Sequence, residues 1–302
     1  MEAVRRKHLN TTKGPLCLNG PYQKIFLSAN LLIAIPKKLW YCVLLSKGTN
    51  GGRKMLFCTG DTHGDFDRFK MRFFPERETM DRSDFVLICG DFGGLWSGTK
   101  LDDMALDWLE ALPFTTLHVD GNHENYDLLY KLPVEHWSGG KVHRLRPHVL
   151  HLMRGQVFSI DGHTFFTMRG ASSHDVQDGI LDRDDPEFDL KYYYLRREHA
   201  RFRINHESWW KEELPNNVEY AEARENLAKA NHQVDFIITH CAPSSIEDII
   251  GKSTYIHDRL TDFLEEVYHT VTFRHWYCGH YHMNKEINSK FTVLYKNVVQ
   301  VI

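Results

Sequence analysis

Mixed helix and strand, of the α+β class, is the fold that this sequence predicts, on two observations. From Met55 onward, short continuous apolar runs alternate with loops and with stretches of helical spacing. Such a run is the mark of a strand buried on both faces. Secondly, five segments carry residues that bind metal well, and an apolar run precedes most of them. They read Gly60-Asp61-Thr62-His63-Gly64, Gly90-Asp91, Gly121-Asn122-His123-Glu124, Thr239-His240 and Gly279-His280-Tyr281-His282. An apolar run that ends in a ligand describes a buried strand delivering a side chain at its carboxyl end.

Strands are expected first at 55–58 and 85–89, both short and continuously apolar. Residues 101–112 show helical spacing through Leu101, Met104, Ala105, Trp108 and Leu109, and Pro113 stops them. Residues 115–119 read as the next strand. Strands at 157–160 and 164–168 flank Asp161-Gly162, a strong hairpin signal. Residues 234–239, 275–278 and 291–295 complete the visible strands. Between His174 and Gln233 the character changes, as Asp182-Arg183-Asp184-Asp185-Pro186 leads into a charged, aromatic segment. Two or three helices are expected there, the last at 218–231. They form either a solvated layer on a sheet or a cap that shapes a substrate cleft.

With 302 residues, the chain can make one large domain or two modest ones. A formal net charge of -3 gives no basic field to draw it to nucleic acid or an acidic membrane. The six cysteines show no C-x-x-C pairing, so small, buried, reduced side chains in a cytoplasmic setting are the simplest reading. Nothing in their spacing supports a thiol ligand or redox switch. Residues 1–54 do not match the rest: a basic start and a loop-like stretch precede two apolar patches split by Pro36-Lys37-Lys38. Neither patch approaches the roughly 18 apolar residues of a membrane span. No small-x-small cleavage pattern follows cleanly enough for a signal peptide. The expected organisation is an N-terminal appendage at 1–54 and a domain at 55–302, with a helical, cap-like insertion at about 175–233.

The residue types in the five segments suit one another. Asp61 and His63, two apart, face the same side of an extended chain. Asp91 has two carboxylate oxygens with which to bridge two ions. Asn122 offers a carbonyl oxygen, and His240, His280 and His282 offer imidazole nitrogen. Mixed oxygen and nitrogen donors fit Mn²⁺, Fe or Zn²⁺ better than Ca²⁺. Two such ions about 3.5–4 Å apart form an arrangement used in phosphoryl hydrolysis, where water's pKa falls from about 15.7 to about 7.

In their order and spacing these motifs resemble the calcineurin-like metallophosphoesterase superfamily, from about Met55 to the C-terminus. The resemblance implies a four-layer α/β/β/α sandwich, two sheets flanked by helices, with the site at the strand ends. It implies two divalent ions, the first held by Asp61, His63, Asp91 and His282, the second by Asp91, Asn122, His240 and His280. It gives His123 a contact with the scissile phosphate and the role of general acid. The implied activity is hydrolysis of phosphate esters, with metal-bound hydroxide attacking phosphorus; substrates could be small molecules, nucleotides or proteins. The alternative is a catalytically silent metal-binding module of the same fold.

Protein Ser/Thr phosphatases of this superfamily carry an Asp and an Arg shortly after the second motif and an Arg before the third. Here Phe92-Gly93-Gly94-Leu95-Trp96 and Asp120 stand in those places. The usual phosphate-clamping arginines and the acidic partner of His123 are therefore missing from their expected positions. Arg169 and His174 are candidate substitutes for the substrate contact, or else ordinary loop residues after a strand. Gly251-Lys252-Ser253-Thr254 has the tail of a P-loop, but Ile246 replaces its first Gly, which excludes a nucleotide-triphosphatase reading. A chain starting at Met55 is expected to stay soluble and keep the activity of the full chain; loss of folding on deleting residues 1–54 would show that the segment is integral.

Overall fold

The computed structural model describes residues 54–252 and 255–302, and also the backbone of an antiparallel hairpin at Tyr22–Leu27 (β1) and Leu31–Pro36 (β2). Apart from that hairpin and Lys54, the expected appendage falls outside the described residues, as does half of the Gly251–Thr254 motif.

Two large sheets organise the rest. The first contains Leu56–Thr59 (β3), Phe85–Cys89 (β4), Thr115–Val119 (β5), Val134–Trp137 (β6), Gly140–Arg146 (β7), Val149–Leu152 (β8) and Val299–Gln300 (β17). Its order is β17-β3-β4-β5-β8-β7-β6. The second contains Gln156–Ile160 (β9), His163–Met168 (β10), Phe236–Thr239 (β13), His275–Cys278 (β14), Lys285–Asn288 (β15) and Phe291–Val293 (β16), in the order β15-β16-β14-β13-β10-β9. Between β10 and β13 in sequence lies a short parallel ribbon of Ile180–Leu181 (β11) and Arg203–Ile204 (β12). In the first sheet β3, β4, β5 and β8 run parallel. In the second, β10, β13, β14 and β16 do the same. The carboxyl ends within each set therefore lie along one edge.

Continuous apolar runs made these strands legible because both of their faces are covered. In β4, Phe85, Leu87 and Cys89 point between the sheets, where they meet Phe158, Phe165, Phe236 and Ile238 of the other sheet. Val86 and Ile88 point outward, to a layer with Leu106 and Leu109 of the helix Lys100–Glu110 (α1). On the far side, Phe166, Ile237 and Trp276 pack against the helices Asn217–Lys229 (α4), Ser244–Gly251 (α5) and Arg259–Thr270 (α6). Two further helices, Tyr126–Leu129 (α2) and Phe188–Arg197 (α3), lie in the connections. The fold is thus α+β, two large sheets flanked by helices.

Local chemistry fixes the boundaries. Thr99 accepts a hydrogen bond from the Leu101 amide and starts α1, which ends at Glu110, ahead of Pro113. Asn216 and Glu219 form a reciprocal capping box that starts α4, and Asp258 with Thr261 does so for α6. Asp161 and Gly162 both adopt left-handed backbone, φ 48° and 76°, as a two-residue hairpin turn between β9 and β10 demands. Strands β6 to β8 escape the apolar pattern because β6 is largely exposed and because β7 and β8 carry His143 and His151 into the interior.

Leu87, fully buried at the centre of the inter-sheet core, offers a direct test of that packing. Leu87→Ala should lower unfolding free energy by about 2–5 kcal/mol, read from the midpoint of a denaturant titration.

Candidate metal centre

Each sequence motif lies at a strand's carboxyl end. Asp61 and His63 follow β3, Asp91 follows β4, Asn122 and His123 follow β5, His240 follows β13, and His280 and His282 follow β14. Adjacent parallel strands from both sheets so bring residues distant in sequence to one edge of the sandwich.

Two groups form there. In the first, Asp61, His63 and His282 present atoms close enough to share an ion. His282 Nε2 is 3.1 Å from Asp61 Oδ2 and 3.0 Å from His63 Nε2. His63 Nε2 is also 3.7 Å from Asp91 Oδ2. In the second, Asp61, Asp91 and His240 converge. His240 Nε2 is 3.3 Å from both Asp91 Oδ1 and Asn122 Oδ1. The His280 ring lies 5.0 Å from that of His240, centre to centre. Asp61 belongs to both groups, and Asp91 lies beside each. All seven candidate ligands are assembled.

The surroundings fit a cation. Asp61 Oδ2 is buried and receives no hydrogen bond, which is costly for a carboxylate oxygen unless positive charge meets it. Burial alone would lift the Asp91 carboxyl, but His240, His123 and His63 hold it well below the usual carboxylate range. His240 is raised in return: burial opposes its charge, and Asp91 overcomes that opposition. His240 Nδ1 lies 2.8 Å from the Cys89 carbonyl, which aims Nε2 at the two carboxylates.

Backbone geometry has been bent to make this convergence. His63, Asp91, His280 and His282 all take positive φ, between 47° and 69°. Such conformations cost about 1–3 kcal/mol each and persist where surrounding contacts over-determine them. Glycines clear the space: a Cβ on Gly121 would stand 2.1 Å from Asp91 Oδ1, and one on Gly279 would stand 2.2 Å from Asp61 Oδ1. Asp91 also ties three motifs together. Its carbonyl accepts from the Thr62 and His63 amides, and its Oδ1 accepts from the His123 amide at 2.8 Å.

His123 stands beside the cluster, its ring 5.3 Å from that of His63, and burial holds its pKa below the ordinary value. His174 is also brought in, with Nε2 2.7 Å from His280 Nε2. Arg169 is not. It is completely buried, and its guanidinium is paired with Asp120 and lies 2.6 Å from His151 Nε2. Arg169, a candidate substrate contact in the sequence, thus lies in the interior and pairs with Asp120. Asp120 also accepts from Arg154 at 3.0 Å and from Tyr126 at 2.7 Å. Only a rare pattern hinted at this buried cluster, namely histidine and arginine set within or directly after apolar runs.

A family model described as calcineurin-like phosphoesterase matches residues 55–284. The chain belongs to that family. Its membership accounts for the two sheets, the strand-end site and the implied requirement for divalent metal. No curated protein matches the chain. Among the described residues, no helix is long and apolar enough to cross a membrane.

The glycine cradle gives a sharp expectation for the calcineurin-like site. Gly121→Ala should displace Asp91 or His240 and reduce bound metal at least tenfold, measured by elemental analysis after equilibration with Mn²⁺ and gel filtration; unchanged metal content would show that the cradle yields freely.

Proposed function

We propose that the chain is a dinuclear metal-dependent hydrolase of phosphate esters. The observation that carries this reading is the convergence of two buried carboxylates, Asp61 and Asp91, with histidines from both sheets, one carboxylate oxygen being left without a hydrogen bond. Asp61, His63, Asp91 and His282 would hold one ion, and Asp91, Asn122, His240 and His280 the other. Mn²⁺, Fe or Zn²⁺ suits this donor set. When bound, two such ions supply an activated water and neutralise charge on the phosphate.

The protein's own groups then have distinct tasks. Asp91, tied by its carbonyl and carboxylate to the first and third motifs, holds the two half-sites in register. His123 would donate a proton to the leaving oxygen, a role supported by its place beside His63. His174, against His280, would face the substrate side of the cleft. The segment at 175–233 would act as a cap: His206 Nδ1 and Trp210 Nε1 both reach Asp127, just beyond the third motif, at 2.9 and 2.8 Å. A cytoplasmic setting is supported by four buried cysteines that form no disulfide.

A panel of chromogenic phosphomonoesters and phosphodiesters with added Mn²⁺ tests the proposal. Hydrolysis should stop on chelation and fall below detection in Asp91→Asn. His123→Ala should keep its metal and lose about a hundred- to ten-thousand-fold in kcat. Activity indifferent to chelation and to Asp91→Asn would end this reading.

A further inference from the structure

Of three consecutive residues after β10, the first two touch candidate ligands and the third binds Arg203. Ser173 Oγ accepts from Asn122 Nδ2 at 3.4 Å, and His174 Nε2 meets His280 Nε2. Asp175 accepts from Arg203, with Nε on Oδ1 at 2.9 Å and Nη2 on Oδ2. The segment at 175–233 holds this tripeptide from two sides. Glu213 accepts from the Ser173 amide and hydroxyl at 3.0 and 2.6 Å, while Arg203 grips Asp175.

Arg203 is well placed and only partly engaged. It opens β12, where its residue pairs with Ile180 in the ribbon and its amide donates to the Gly179 carbonyl at 3.3 Å. Its side chain is 21% exposed. A guanidinium carries five N–H donors in a planar fork. Asp175 takes the edge formed by Nε and Nη2, and among the described residues Nη1 has no hydrogen-bond partner. The opposite edge, made by Nη1 and the second Nη2 hydrogen, has the geometry that binds two oxygens of one phosphate. Asp175, which holds Arg203, directly follows His174, whose Nε2 lies 2.7 Å from Nε2 of the candidate ligand His280.

We propose that Arg203 is the phosphate-binding cation of this site, delivered by the inserted segment and aimed by Asp175. It would occupy the role left open by the arginines absent around Phe92 and Asp120, reaching the site from a different part of the chain. The ligand it recognises is the set of non-bridging oxygens of a phosphate ester or of the phosphate product. The inference rests on the phosphoesterase reading above.

Calorimetric titration of the Mn²⁺-loaded full chain with inorganic phosphate tests it, alongside melting temperature and metal content. Arg203→Met should weaken phosphate binding about tenfold or more, as expected for loss of charge-assisted hydrogen bonds. Bound metal should match that of wild type. Arg203→Lys, which keeps the charge and loses the fork, should fall between the two and guards against a folding defect in the first variant. In turnover, the loss should appear in kcat/KM. Unchanged phosphate affinity in Arg203→Met would overturn the proposal, as would no phosphate binding by wild type, or a loss matched by loss of metal. A wild type that binds phosphate through Arg203 but hydrolyses no ester would sustain this inference while removing the enzyme reading. Ester hydrolysis with unaltered phosphate affinity in Arg203→Met would do the reverse.

Discussion

Two carboxylates, Asp61 and Asp91, are withdrawn from water at the ends of adjacent parallel strands, and the local architecture answers to that burial. An ionised carboxylate is expensive to bury unless positive charge or hydrogen-bond donors surround it. Here the backbone amides of His280 and His123 each donate to one of the pair, at 2.9 and 2.8 Å. Imidazoles crowd the remaining oxygens. Four residues with left-handed backbone, and glycines where a methyl group would collide with a carboxylate, are the steric counterpart of the same demand. The divalent ions that the calcineurin-like family implies would complete the balance, since the protein groups leave one carboxylate oxygen without a hydrogen bond.

Beneath the centre a second buried charge, Asp120, plays a structural part. It directly precedes the Gly121-Asn122-His123 motif and gathers Arg154, Arg169, His151 and Tyr126. Its carbonyl also accepts from the Gly170 amide at 3.0 Å, joining the end of β5 in one sheet to the end of β10 in the other. Removing one partner from such a buried group is costly, because the remaining charge is left uncompensated. The loops bearing Asn122 and His174 therefore rest on a common ionic floor.

How much of this was legible before the structure depends on the range of the interaction. Strand ends could be read because burial on both faces leaves an unbroken apolar run, and the candidate ligands follow directly in the chain. The Asp161-Gly162 turn could be read because its conformation is a property of two residues. For the opposite reason the burial of Arg169 could not be read. Its position after a strand looked like that of a loop residue at a cleft, whereas its fate is set by Asp120, on a different sheet. Arg203 gave no signal at all: it lies in a charged segment among other arginines, and only its pairing with Asp175 sets it apart. Strands β7 and β8 were lost because histidines in a core mimic polar sequence, and β6 because it is largely exposed.

The candidate ligands come from both sheets and from motifs spread between Asp61 and His282. No fragment shorter than Asp61 to His282, and neither sheet alone, contains them all. An ion that needs the full set binds the native state and ignores the unfolded chain, so it deepens the native basin by mass action. Metal supply would thereby bear on the lifetime of the fold as well as on its chemistry: without ions the chain would open more often.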